Sequence, residues 1–274
     1  MVAAGGGYGG LPGPAGRSVW TPWNTRAPEA AGKVVVYCFA HAGGAANSYL
    51  DWARQTAGQE VEVCPVELPG HGTRMREAQL TDVEELLGLL VTGPFSGWPG
   101  RQAFVLFGHS MGALIAYALA QRLGQTGAPL PLGLIVSAAR PPGSPEPSRR
   151  MAGMSDSELL RELADLEGTP AEVLGNADMT DFVIGRLRAD LALLESAERV
   201  PPGVLDCPID AFGGVDDDIA GPGSMQGWSA LTSREFRSRT FAGGHFYLHR
   251  FRTALLSQVR ACALRYLAAP EVRQ

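Results

Sequence analysis

A serine stands between two glycines in Phe107-Gly108-His109-Ser110-Met111-Gly112, where an apolar run gives way to a segment rich in small residues. G-x-S-x-G is a weak pattern by itself. Here it follows the run AFVLF and opens a helical segment, the context of a nucleophile elbow, in which glycines let strand and helix approach a sharply turned serine. A serine hydroxyl is a poor nucleophile until a base takes its proton. The elbow therefore predicts an acid and then a histidine further along the chain, in the order Ser, Asp/Glu, His.

The chain has five histidines. His41 and His71 precede Ser110, and His109 points away from it by the geometry of the turn. His245, in FAGGHFYLHR, lies in a glycine-rich loop after a strand and is the expected base, while His249 enters the last helix in a surface or capping role. Asp216, Asp217 and Asp218 crowd the turn after CPIDAFGG. The spacing Gly213-x-x-Asp216 favours Asp216 as the acid, with Asp217 next, and Asp210 reads as a structural residue within the strand. Acyl chemistry also needs donors for a tetrahedral oxyanion. The elbow offers the Met111 amide, and the loop HAGGAA offers the amide of Ala42, with His41 ordering that loop by a hydrogen bond.

These residues need a scaffold, and the rest of the chain predicts one. KVVVYCFA, VEVCPVEL, AFVLFG, LGLIVSAA and CPIDAFGG are short, nearly continuous apolar runs that read as parallel strands buried on both faces. Helical segments separate several of them. One is LTDVEELLGLLV, with a capping box at Thr81 and Glu84, and another is MGALIAYALAQRL, apolar almost all round. The fold class is therefore α/β, a mostly parallel sheet flanked by helices.

Between Pro141 and Pro202 the alternation stops. Ser155 and Glu158 cap a helix striped by Leu159, Leu160, Leu163 and Leu166; Thr169, Pro170 and Glu172 mark a second start; Ile184, Leu187, Leu191 and Leu194 form a third stripe. The segment from about 148 to 199 is thus expected to be a helical insertion, either packed on the core or acting as a lid over the site. A final helix carries Phe251, Leu255, Val259, Cys262 and Tyr266 on one face and is expected to close a flank of the sheet. Residues 1–16, rich in Gly, Pro and Ala, read as a flexible leader to one domain spanning 17–274.

A net charge of −5 argues against nucleic acid as a partner. No run approaches the roughly 18 apolar residues of a membrane span, and the N-terminal stretch lacks the apolar core of a signal peptide, so the expected location is the cytoplasm. Cys38, Cys64, Cys207 and Cys262 have neither CxxC nor zinc-like spacing and read as buried free thiols.

With these motifs in hand, the chain resembles the type II thioesterases that accompany polyketide and nonribosomal peptide synthases. The resemblance runs from about Ser18 to Leu267 and rests on CFAHAGGAANSY, VELPGHGTRMRE, FGHSMGALIAY, MSDSELLRELADLEGTPAEVL, RLRADL and GGHFYL, in the family's order. It implies an α/β-hydrolase fold, a helical lid, and hydrolysis of acyl thioesters from the phosphopantetheine arm of acyl- or peptidyl-carrier proteins, clearing stalled or misprimed synthases. No metal or organic cofactor is expected. Two positions depart from the family pattern. Ala40 stands where proline is usual, which predicts a looser oxyanion loop, and His71 stands where arginine is usual, which bears on whether that position contacts an anion. A small-molecule esterase or lipase on the same fold is the competing enzyme reading, and a catalytically silent binding module the competing reading from another class. Transfer of the acyl group to a nucleophile other than water would use the same residues.

Overall fold

The structure, a computed structural model, describes residues 18–23, 34–95, 103–144, 151–165 and 177–269. The leader, the start signal at Thr169 to Glu172, Leu166 and the side chain of Leu163 lie outside the described residues. Among the described residues, six strands form one sheet in the order β2-β1-β3-β4-β5-β6, every pairing parallel: β1 Val34–Phe39, β2 Val61–Pro65, β3 Ala103–His109, β4 Gly133–Ser137, β5 Ile209–Gly214 and β6 Phe236–Phe241.

Alternation along β1 shows how the sheet is covered. Val35, Tyr37 and Phe39 enter one core with helices α2 (Val83–Thr92) and α3 (Met111–Thr126). Val34, Val36 and Cys38 enter the other with α1 (Leu50–Thr56) and the C-terminal helix. Strands covered on both faces read as unbroken apolar runs, which is why β1 to β5 stand out in the sequence. β6 is different: it is an edge strand, FRSRTF, whose four central residues are exposed. Arg237 and Arg239 on it discourage edge-to-edge pairing.

The interval between β4 and β5 contains α4 (Asp156–Asp165) and α5 (Ala177–Glu198), with no strand among its described residues. The Ser155 capping box forms as expected: the Ser155 amide donates to Glu158 Oε2 at 2.8 Å and the Glu158 amide to Ser155 Oγ at 3.4 Å. Ile184, Leu187 and Leu191 pack with Leu159, so the two leucine-rich stripes face each other. The cap of α2 differs from expectation. Asp82, not Thr81, accepts from the amides of Glu84 and Glu85 at 2.8 and 3.1 Å. Its carboxylate reaches two orphan amides and suits the positive end of the helix dipole better than a hydroxyl one residue earlier.

The last helix, α6 (Arg252–Ala268), buries Leu255, Val259, Cys262 and Tyr266 against the sheet. All four cysteines are free and buried. Among the described residues, no helix is long and apolar enough to cross a membrane.

Candidate active site

Ser110 sits at the junction of β3 and α3 with φ 54° and ψ −120°, a left-handed conformation that an L-residue holds only when its surroundings impose it. Its amide donates to Ser137 O at 2.8 Å. The flanking glycines make the turn sterically possible. A Cβ on Gly108 would stand 2.1 Å from Gly112 O, and one on Gly112 would stand 2.2 Å from Phe39 O. Met111 is the first residue of α3, so its amide has no intrahelical acceptor and points where the helix dipole favours negative charge.

His245 follows β6 through Gly243 and Gly244. Ser110 Oγ lies 3.0 Å from His245 Nε2, and His245 Nδ1 lies 3.0 and 3.1 Å from the two carboxylate oxygens of Asp217. Because a carboxylate only accepts, Nδ1 carries the hydrogen, leaving Nε2 free to accept from the serine hydroxyl. Burial pushes the Asp217 carboxyl up, but hydrogen bonds from His245 and from the amides of Ala220 and Ile219 outweigh it and hold the group below the usual carboxylate range.

The carboxylate that meets His245 is therefore one residue from the expected position. Asp216 is exposed, its amide bound to Gly243 O at 3.0 Å, whereas Asp217 is buried and aimed at His245. The spacing rule holds when counted from Gly214 instead of Gly213. Gly214 is the glycine the site needs, because a Cβ there would meet Gly243 O and Gly244 O at 2.4 Å, in the loop that carries His245. Asp210 is structural as expected, accepting from Tyr266 and Arg265.

The other histidines surround the base without replacing it. His109 Nδ1 is 2.8 Å from Ser137 Oγ, and its ring packs 5.6 Å from that of His245. Burial, reinforced by the neighbouring histidines, holds its pKa well below the ordinary value. His41 Nδ1 donates to Ala42 O at 2.9 Å, the loop-ordering role expected of it. Burial lowers its pKa to about 4 despite that bond. His249 is exposed and stacks on Phe246.

Ser110, His245 and Ala42 line a cavity of about 770 Å³, part of it open to solvent, together with Leu114, Met151, Leu187, Leu191 and Leu194. Two buried carboxylates near the site were not evident from sequence. Glu67 accepts from the amides of Ala46 and Thr73 at 3.0 and 3.1 Å, tying together the loops after β1 and β2. Asp190 of α5 binds His71, so the histidine that replaces the family's usual arginine does contact an anion, with Nε2 2.9 Å from Asp190 Oδ1. The local signal for Asp190 was an acid within the Leu187, Leu191, Leu194 stripe. Among the described residues no cluster of His, Cys, Asp and Glu is suited to a metal.

A strand-elbow-helix with a Ser-His-Asp chain belongs to hydrolases of several kinds. A thioesterase-domain family model matches residues 35–262. The chain belongs to the thioesterase family. The gramicidin S biosynthesis protein GrsT of Aneurinibacillus migulanus is 32% identical over 246 residues, covering 89% of this chain and 94% of that protein. Thioesterase PikA5 of Streptomyces venezuelae is 35% identical over 81% of this thioesterase and 78% of its own length. Among solved structures, the type II thioesterase BorB from the borrelidin biosynthetic cluster superposes with a TM-score of 0.75 at 33% identity, covering 88% of this chain and 96% of that one. The RedJ thioesterase from the prodiginine pathway of Streptomyces coelicolor gives 0.73 at 34%, covering 89% and 98%. The thioesterase is thus an α/β enzyme of the type II class, and its chemistry is thioester hydrolysis.

Proposed function

We propose that this thioesterase hydrolyses acyl groups from the phosphopantetheine arm of acyl- or peptidyl-carrier proteins of a polyketide or nonribosomal peptide synthase, with Ser110 as nucleophile, His245 as base and Asp217 as its orienting acid. The observation that carries the reading is the chain of 3.0 Å contacts from Asp217 through His245 to Ser110, which lines a largely apolar cavity. His245 takes the Ser110 proton as Oγ attacks the thioester carbon, and the amides of Met111 and Ala42 receive the oxyanion. The C–S bond then breaks, and the departing sulfur takes the proton from His245. Water, deprotonated by His245, attacks the acyl-serine; the C–O bond to Oγ breaks, Ser110 recovers its proton and the free acid leaves. A thioester lacks much of an ester's resonance stabilisation, so the site needs no further electrophile.

In this reading α4 and α5 form the lid. Leu187, Leu191 and Leu194 line the acyl channel from above, and a long thin pantetheine arm reaches Ser110 while the acyl-enzyme is shielded from bulk water. The test is a hydrolysis panel of carrier proteins bearing different acyl chains, set against the same chains on a short pantetheine mimic and on simple oxygen esters. Carrier-bound thioesters should give the highest kcat/KM. Preference for oxygen esters, with no gain from the carrier, would transfer the site to a small-molecule esterase.

A further inference from the structure

A second buried polar assembly is centred on Asp190 of α5, the chain neighbour of the channel-lining Leu191 and a carboxylate only 1% exposed. It gathers donors from the loops after β1 and β2. The Gly43 amide donates to Oδ2 at 2.7 Å, Gln79 Nε2 to Oδ1 at 3.1 Å, and His71 Nε2 lies 2.9 and 3.1 Å from the two oxygens. A carboxylate buried beside leucines is costly unless its lone pairs are met, and here they are. The other ring nitrogen of His71 faces Pro69 O at 2.9 Å. Both nitrogens face acceptors, so both carry hydrogen and the ring is an imidazolium opposite the carboxylate.

The placement of Gly43 gives this assembly a bearing on the chemistry. Gly43 follows Ala42, and one peptide unit joins them. The carbonyl of that unit, Ala42 O, is held by His41 Nδ1 at 2.9 Å, and its N–H is held by Asp190 at 2.7 Å. Gly43 has φ +78°, and glycine crosses between backbone wells more freely than any other residue, so the unit stays in one orientation because both ends are clamped. Ala42 lines the cavity together with Ser110, so the setting of this unit bears on how that residue is presented there. The clamp on the N–H side comes from α5, the helix that also lines the channel.

We propose that Asp190 is a positioning residue for thioester hydrolysis: through the Gly43 amide it sets the oxyanion loop, and through α5 it makes that setting conditional on the lid helix being seated. This rests on the reading of Ala42 as an oxyanion donor. An acyl chain that seats α5 thereby completes the donor pair, whereas displacement of α5 withdraws the clamp.

The test uses the full chain with Asp190→Ala, Asp190→Asn and Asp190→Glu. Asparagine keeps an oxygen for Gly43 and turns its NH2 towards a neutral His71, at the cost of the hydrogen bond that Oδ1 accepts from Gln79 Nε2. Glutamate keeps the charge but shifts the oxygens by one methylene. Each variant is assayed for kcat and KM on an acyl-pantetheine, for affinity towards an alkyl boronic acid, whose tetrahedral adduct on Ser110 places an oxygen against the donors, and for affinity towards the matching alkyl alcohol. Losing an oxyanion donor outright costs roughly 100- to 1000-fold. A donor left in place but no longer aimed should cost on the order of 10- to 100-fold in kcat for Asp190→Ala and Asp190→Glu. Boronate affinity should fall by the same factor, with KM and alcohol affinity nearly constant and Asp190→Asn close to wild type. If Asp190→Ala does not fold, Asp190→Glu carries the comparison. Unchanged kcat and boronate affinity with a lowered melting temperature would overturn the proposal and leave Asp190 a structural tie. The boronate arm needs only Ser110 and the donors, so a wild type that hydrolyses no thioester would defeat the proposed substrate while still reading the role of Asp190.

Discussion

Replacing Asp217 by asparagine should disable the enzyme while leaving its shape intact, and the hydrogen bonds around that carboxylate say why. Oδ1 accepts from the amides of Ile219 and Ala220, both at 2.9 Å. Those two donors hold the oxygen of an introduced amide at the Oδ1 position. Its NH2 then occupies the Oδ2 position, 3.0 Å from His245 Nδ1. An NH2 there needs an acceptor, so Nδ1 must give up its hydrogen and Nε2 must carry one. A ring protonated on Nε2 cannot take the proton from Ser110. The same tautomer error in a serine triad costs roughly 10⁴-fold in kcat, which is about 5.5 kcal/mol of barrier. Asp216→Asn, at an exposed side chain that touches neither His245 nor Ser110, should stay within about twofold, as surface substitutions usually do. The assay is steady-state hydrolysis of an acyl-pantetheine by both variants, with melting temperatures recorded alongside. Asp217→Asn retaining more than a tenth of wild-type kcat, or Asp216→Asn losing as much as Asp217→Asn, would refute the tautomer argument.

Gly214→Ala should lower both activity and melting temperature, since its Cβ would lie 2.4 Å from Gly243 O and Gly244 O and must displace the loop bearing His245; crowding of this kind typically costs about 1–3 kcal/mol, measurable by denaturant titration. His71 gives a pH signature. Burial and the positive charge of Arg186 oppose its protonation, but the Asp190 carboxylate and Pro69 O more than compensate, so its folded pKa lies above the ordinary value. Its contribution to stability is therefore fully present below about pH 6.5 and is lost as pH rises through the folded value. The melting-temperature gap between wild type and His71→Gln should shrink with rising pH in that window, and a gap that widens would reverse the assignment. Leu191→Phe, in the wall of the cavity, should reduce kcat/KM progressively with acyl length while sparing short chains; an equal loss at every length would place Leu191 in the core and not the channel.

Ser110 and His245 were legible in the sequence because an elbow demands glycines at fixed offsets and a mobile imidazole demands a glycine-rich loop, both local requirements. The strands were legible for a related reason: burial on two faces leaves no polar alternation. The acid slipped by one residue because Gly213 and Gly214 offer the same count to neighbouring aspartates, and only the approach of Gly214 to the His245 loop, a contact between distant segments, separates them. The exposed edge strand β6 carries little hydrophobic signal and was visible chiefly through the loop that follows it. The cap at Asp82 was missed because Thr81 and Glu84 fit a familiar pattern while an adjacent carboxylate fits the amides better. Asp190 meets Gly43 and His71 across 147 and 119 residues of chain. No spacing rule reaches that far, and its one local trace is an acid standing among leucines.

The central claim is that Ser110 carries the acyl group between thioester and water. Incubating the thioesterase with a carrier protein bearing an acyl-phosphopantetheine, quenching within milliseconds and measuring the intact mass tests it directly. The account predicts wild-type enzyme heavier by the acyl group, the adduct mapped to the peptide containing Ser110, and no adduct on Ser110→Ala. Undiminished hydrolysis by Ser110→Ala, or an adduct on any other residue, would contradict it.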